Sequence, residues 1–148
     1  MANNYMQGTI YPFLPLTDEH IRLLDLDTED SFFKERGLLL DDGVTGIGYD
    51  RIRDIEGARC LYYLYFEEYL GSSGTVILQH ILKSLPEKEY PFICIEFAIT
   101  CSKMRPDNFG GGAIFITRDD IDYFNTEDWI ERKVEEYKEC HKPSDCPL

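Results

Sequence analysis

The chain has 148 residues, 43% of them hydrophobic, with 10 Tyr, 9 Phe and 1 Trp. That length suits one domain, and a content so rich in aromatics is the opposite of a disordered chain's. The 28 acidic residues against 15 basic ones give a net charge of -13. This field opposes binding to phosphate backbones or anionic membranes and attracts basic partners, or proteins that themselves bind nucleic acid, although such a charge also simply keeps proteins soluble.

The acidity is spread along the chain, with 14 acids and 6 bases in residues 1–74 and 14 acids and 9 bases in residues 75–148. No apolar run approaches the ~18 residues of a membrane span. The stretch Met1 to Gly8 is polar, holds no Lys or Arg and lacks the look of a secretory signal. The five cysteines (Cys60, Cys94, Cys101, Cys140 and Cys146) are odd in number and form no framework. Three of them sit in apolar strand-like runs, where free Cys behaves as a small core residue. A reducing, cytoplasmic compartment is expected.

Residues 8–14 read as a short strand, with Pro12 suggesting an edge position or an early end. Thr17 can cap a helix whose first turn holds Asp18 and Glu19, with Ile21, Leu24 and Leu23 facing inward. A second helical piece is expected over 28–36, closed by Gly37. Residues 41–57, rich in Asp and Gly, read as a loop with one weak helical turn at 50–55. Cys60 to Tyr69 is dominated by aromatics and predicts a strand. After Gly71-Ser72-Ser73-Gly74, the residues Ile77, Leu78, Ile81, Leu82 and Leu85 recur at helical spacing, opposite Gln79, His80, Lys83 and Ser84, until Pro86.

Phe92 to Cys101 predicts a strand apolar on both faces, hence central in its sheet. An eleven-residue loop, 102–112, leads to a strand over Ala113 to Thr117 and a short helical turn through Phe124. Asn125 or Thr126 then caps a final helix with a buried stripe of Trp129, Ile130, Val134 and Tyr137. The tail 140–148 reads as loose. The expected fold is therefore one α+β domain, a mixed sheet of about four to five strands packed against helices mainly on one face.

Each candidate site has a plainer alternative. The turn Gly71–Gly74, with Ser72 and Ser73, opens a helix and can hold an anion on its N–H groups, but no Lys follows as a phosphate loop requires, and a simple turn also fits. Glu96 is a carboxylate inside the most apolar strand, where it must be paired, have a raised pKa, or point to a solvent-facing surface. The loop 102–112 offers Lys103, Met104, Arg105, Asp107 and Phe109, residue types suited to a protein interface, beside three glycines that permit close approach. The plainer reading tucks Phe109 into the core.

Asp25, Asp27, Glu29 and Asp30 alternate like calcium ligands, yet the sixth and twelfth loop positions hold Asp30 and Arg36 instead of Gly and Glu. Cys140, His141 and Cys146 fall short of a four-ligand zinc site, so no metal is expected. Tyr62, Tyr63, Tyr65 and Tyr69 could stack bases, but Glu67 and Glu68 follow where such readers are basic, which favours sheet packing.

No catalytic constellation is complete, and no cofactor is implied. The expectation is a non-catalytic acidic protein-binding domain with a basic protein partner, of an inhibitor or immunity type, covering a basic or nucleic-acid-binding surface or imitating nucleic acid. Direct nucleic-acid binding and membrane binding are not expected, and the surplus of aromatics leaves room for a homodimer. The alternative is a small cytosolic enzyme with a pocket around Glu96 and the Gly71–Gly74 turn.

Overall fold

Side chains alternating with a period of two build one buried sheet face, and this alternation runs through six strands. The computed structural model describes residues 4–25, 45–57, 59–101 and 109–141. In chain order the elements are β1 (Asn4–Leu16), α1 (Asp18–Asp25), β2 (Gly48–Ile55), β3 (Arg59–Phe66), α2 (Ser72–Ser84), β4 (Ile93–Cys101), β5 (Gly110–Ile116), β6 (Ile121–Asn125) and α3 (Thr126–Cys140). The strands form one sheet in the order β2-β3-β1-β4-β5-β6. Every pairing is antiparallel.

The α+β class stands, but the sheet is antiparallel rather than mixed, and it has six strands rather than four to five. The two extra strands lie at the sheet's edges. In β2, read as a loop, Asp50, Arg51, Arg53 and Asp54 are exposed, and Arg51 pairs with Asp54. Edge strands commonly carry such charges, which block further pairing and hide the strand pattern. In β6, read as helical, five residues pair with β5 after a turn in which the Thr117 N–H donates to the Asp120 carbonyl. The expected helix over 28–36 lies outside the described residues.

Pro12 does not mark an edge, because β1 is flanked by β3 and β4. The register with β3 jumps between Ile10 and Leu14, and the pairing with β4 ends at Tyr11. Pro12, preceded by a cis peptide bond, falls in this irregularity, where its missing N–H breaks no ladder bond. The two-faced apolar strand β4 is central, as its pattern predicts.

The core joins Ile10 and Leu14 of β1, Leu64 and Phe66 of β3, Ile93 and Ile95 of β4 and Ile114 and Ile116 of β5 to Leu23 and Leu24 of α1 and Ile77, Leu78, Ile81 and Leu82 of α2. Glycines let backbone and rings approach within it: a Cβ on Gly8 would meet the Phe66 ring and the Glu96 carbonyl, each at 2.4 Å, and one on Gly112 would meet the Phe97 ring at 2.7 Å.

His20 ties α1 to α2. Its Nδ1 accepts from the Thr17 N–H at 3.2 Å, and its Nε2 lies 3.0 Å from the Ser84 Oγ, which donates to the Ile81 carbonyl. This arrangement requires a neutral ring protonated on Nε2. Burial, and then the positive charge of Arg59, push its pKa down from 6.5. The helix starts follow the sequence reading: Thr17 accepts from the His20 N–H, and Asn125 from the Asp128 N–H at 2.8 Å.

The last helix departs from its expectation. Trp129, Ile130, Val134 and Tyr137 form a stripe as predicted, but none is buried. The helix begins where the sheet's edge strand ends, and its first residue, Thr126, is anchored by its Oγ1 accepting from the Gly111 N–H at 3.1 Å.

Two outcomes follow for urea unfolding of single variants. Leu82→Ala removes a fully buried side chain and should cost about 2–5 kcal/mol, while Val134→Ala on the exposed stripe should stay within about 0.5 kcal/mol; equal losses would mean that the stripe is covered. The folded pKa of His20 lies below the unfolded value of 6.5, so the unfolded chain takes up a proton first as pH falls through it. Stability should therefore drop on acidification through that window. A His20→Gln variant should show a flatter profile between pH 7 and 5, and an unchanged slope would rule out this linkage.

Candidate functional site

Alternation that sends Ile10, Leu64, Ile95 and Ile114 into the core sends their neighbours to the opposite face, away from α1 and α2. Cross-strand pairing fixes the order there. One row runs from edge to edge through Gly48, Tyr65, Thr9, Glu96, Ala113 and Phe124. The adjacent row holds Tyr11, Cys94, Phe115 and Asp122.

Solvent-facing sheet surfaces normally alternate to polar residues. This one carries rings. Tyr11 is 65% exposed, Phe13 49%, Phe115 42% and Phe124 50%. Phe13 meets Tyr63 edge-on at 5.8 Å, Tyr63 stacks with Tyr65 at 5.5 Å, and Phe92 lies against Phe115 at 5.2 Å. Aromatic pairs of this kind add about 0.5–1.5 kcal/mol beyond burial, so the rings hold one another in place. Tyr62 points the other way, into the packed side, edge-on to Tyr49 at 5.7 Å.

Ala113 leaves a dent among these larger neighbours. The resulting open cavity, of about 340 Å³, is lined by Cys94, Glu96, Ala113, Phe115, Asp122 and Phe124, together with the backbone side of Ile95, Ile114 and Tyr123. Glu96 and Asp122 are both exposed. Neither makes an ion pair among the described residues. Glu96 thus lies on a solvent-facing sheet surface, one of the alternatives its sequence position allowed. Burial, helped by the Glu96 carboxylate, pushes the Cys94 thiol's pKa up, which makes it a poor nucleophile at neutral pH.

The residues of the enzyme alternative are not brought together. Ser73 is buried at the start of α2, on the helix-packed side of the sheet, with Glu96 on the other. Gly71, the N-cap of α2, makes no side-chain cap bond, and Thr75 lies 3.2 Å from the Tyr123 hydroxyl.

Lys103, Met104, Arg105 and Asp107 lie outside the described residues. Phe109 is not tucked into the core; at 43% exposure it borders a cavity of about 290 Å³ over Met6, Phe97, Ile99 and Thr126. Gly110, Gly111 and Gly112 belong to β5 rather than to the loop.

Among the described residues, no group of three or more His, Cys, Asp and Glu is arranged to hold a metal ion. No described helix is long and apolar enough to cross a membrane. Comparison with protein-family models, curated proteins and solved structures gives no match.

The rings were in plain sight in the sequence, but their grouping depends on strand parity across five pairings. Phe115 and Phe124 come from strands that the sequence pattern shortens or makes look helical, which conceals their grouping. The closeness of Glu96 to Cys94 can be checked by alkylation. With Glu96→Gln the thiolate is less opposed, and Cys94 should react with iodoacetamide faster at pH 8 than in the wild type, as read by peptide mass mapping. An unchanged rate would contradict the shared cavity.

Proposed function

We propose that the chain is a non-catalytic acidic recognition domain that docks a basic protein through the open face of its sheet. The observation that carries this reading is the cluster of exposed rings on that face, with the carboxylates of Glu96 and Asp122 among them. Exposed aromatic clusters of this size are typical of binding surfaces, and rings fixed by mutual contact lose little freedom on docking. The net charge of -13 steers a basic partner to the surface and sets the sign of the complementarity.

An inhibitor or immunity-type role fits this arrangement, the flat acidic and aromatic face covering a basic, nucleic-acid-binding patch on the partner. Base stacking on Tyr63 and Tyr65 is the less favoured use, because a reader of single strands needs a basic groove beside its rings, whereas Glu96, Asp122 and Asp50 stand on this face beside Arg53.

Affinity capture from the native host's lysate, read by quantitative mass spectrometry, tests the reading when wild type is compared with a Phe13→Ser/Phe115→Ser double variant. Both rings are surface residues, so folding is checked by an unchanged circular dichroism spectrum. A basic protein recovered by the wild type should be depleted about tenfold or more by the variant, as expected for loss of interface anchors. Equal recovery by both would sink the open face as the docking surface.

A further inference from the structure

We infer that the dent over Ala113 receives an arginine side chain of the partner, so that the open face recognises an arginine-bearing basic segment; this rests on the protein-recognition reading above. Three features of the dent converge on that chemistry.

The first is shape. Ala113 is the one small residue between Glu96 and Phe124 in its cross-strand row, and neighbouring strands are about 4.8 Å apart. The gap between the two flanking side chains therefore spans two strand spacings, roughly 10 Å, enough for a flat guanidinium lying beside a ring. The second is the wall chemistry. Phe115 and Phe124 present rings to the cavity, and Phe92 braces Phe115 at 5.2 Å. A guanidinium stacks on an aromatic face and keeps its in-plane N–H groups free to donate, which an ammonium cannot do as well.

The third is charge. Glu96 stands at one side of Ala113, and Asp122, directly opposite Phe115 in the next row, stands at another. Neither carboxylate is used in an ion pair among the described residues. Both are available to accept from the same cation or from adjacent arginines of one segment. Cys94 completes the rim as an uncharged, partly buried thiol.

The test uses the full chain and defined probes. An alternating glycine–arginine octapeptide is titrated by calorimetry and by amide chemical shifts, beside counterparts in which citrulline or lysine replaces arginine. Arginine should bind with the largest shifts at Ala113, Phe115 and Phe124. Lysine should bind several-fold more weakly and citrulline not measurably. Glu96→Gln/Asp122→Asn should weaken arginine binding by about tenfold, the size of two exposed ion pairs lost together while the rings remain. Glu87→Gln/Glu89→Gln, which removes the same charge from the exposed turn before β4, should leave binding within about twofold.

Equal losses from the two double variants would mean that the general field of the protein attracts the peptide, and would overturn the inference. So would citrulline binding as well as arginine. The same Glu96→Gln/Asp122→Asn variant in the lysate capture separates the two levels. A partner kept by this variant but lost by Phe13→Ser/Phe115→Ser leaves the recognition reading standing and removes the arginine site. A partner kept by both removes the two together.

Discussion

The pairing of β1 on both its edges is the constraint on which the rest of the molecule depends. Through Gly8, Thr9 and Ile10 it is tied to β3 and to β4 at once. A strand's side chains alternate, so a slip of one residue at either edge would turn Ile10 out and Thr9 in. With Ile10 held against Leu64 and Ile95, the parity of every other strand follows. That parity decides that Ile114 is buried and that Phe115 is not. The irregularity around Pro12 then lets β1 continue past Tyr11 and still return Leu14 and Leu16 to the buried side.

The packed face explains stability, but it leaves the second face unexplained. A strand such as β4, apolar on both sides, is usually covered on both sides. Here Ile93 and Ile95 are buried while Cys94 and Phe92 are only half-buried, and Ala98 is exposed. The sequence thus carries more apolar surface than its own described elements consume. The same imbalance recurs in α3, whose stripe has helical spacing and no buried member. Helices in proteins draw most of their stability from packing of such a stripe. Two separate elements therefore show the same surplus, and both lie toward the β5–β6 side of the sheet.

This surplus also marks where the sequence was legible and where it was not. The helix of Ile77, Leu78, Ile81 and Leu82 could be read directly, because its spacing is local and its stop at Pro86 is covalent. So could the two helix caps at Thr17 and Asn125, which need only three residues to act. The edge strands could not, since Asp50, Arg51, Arg53 and Asp54 in β2 suit solvent and look like a loop. The burial of Trp129 and Tyr137 was expected from periodicity alone. Periodicity shows that a stripe exists, but not which molecule covers it. For the site, Glu96 could be singled out as a charge in an apolar strand, whereas its neighbours Phe115, Asp122 and Phe124 come from two other strands and depend on register.

Charge bears on what the exposed rings can meet. A bare aromatic sheet face invites two copies to stack, and the uncovered stripe of α3 adds to that tendency. Each copy carries -13, however, and on the open face itself Glu96 and Asp122 stand among the rings. Face-to-face self-association would remove water from these carboxylates, which is costly unless a cation such as Arg53, opposite Leu61 on the same face, meets them. A basic partner meets the opposite situation: the same carboxylates lose water but gain a counter-charge, and the rings gain cover. On the reading proposed above, the carboxylates that disfavour stacking of two bare faces are the ones that would favour a basic partner. Low salt should strengthen both effects, since the carboxylates are exposed and their field is screened within a few ångströms at high ionic strength.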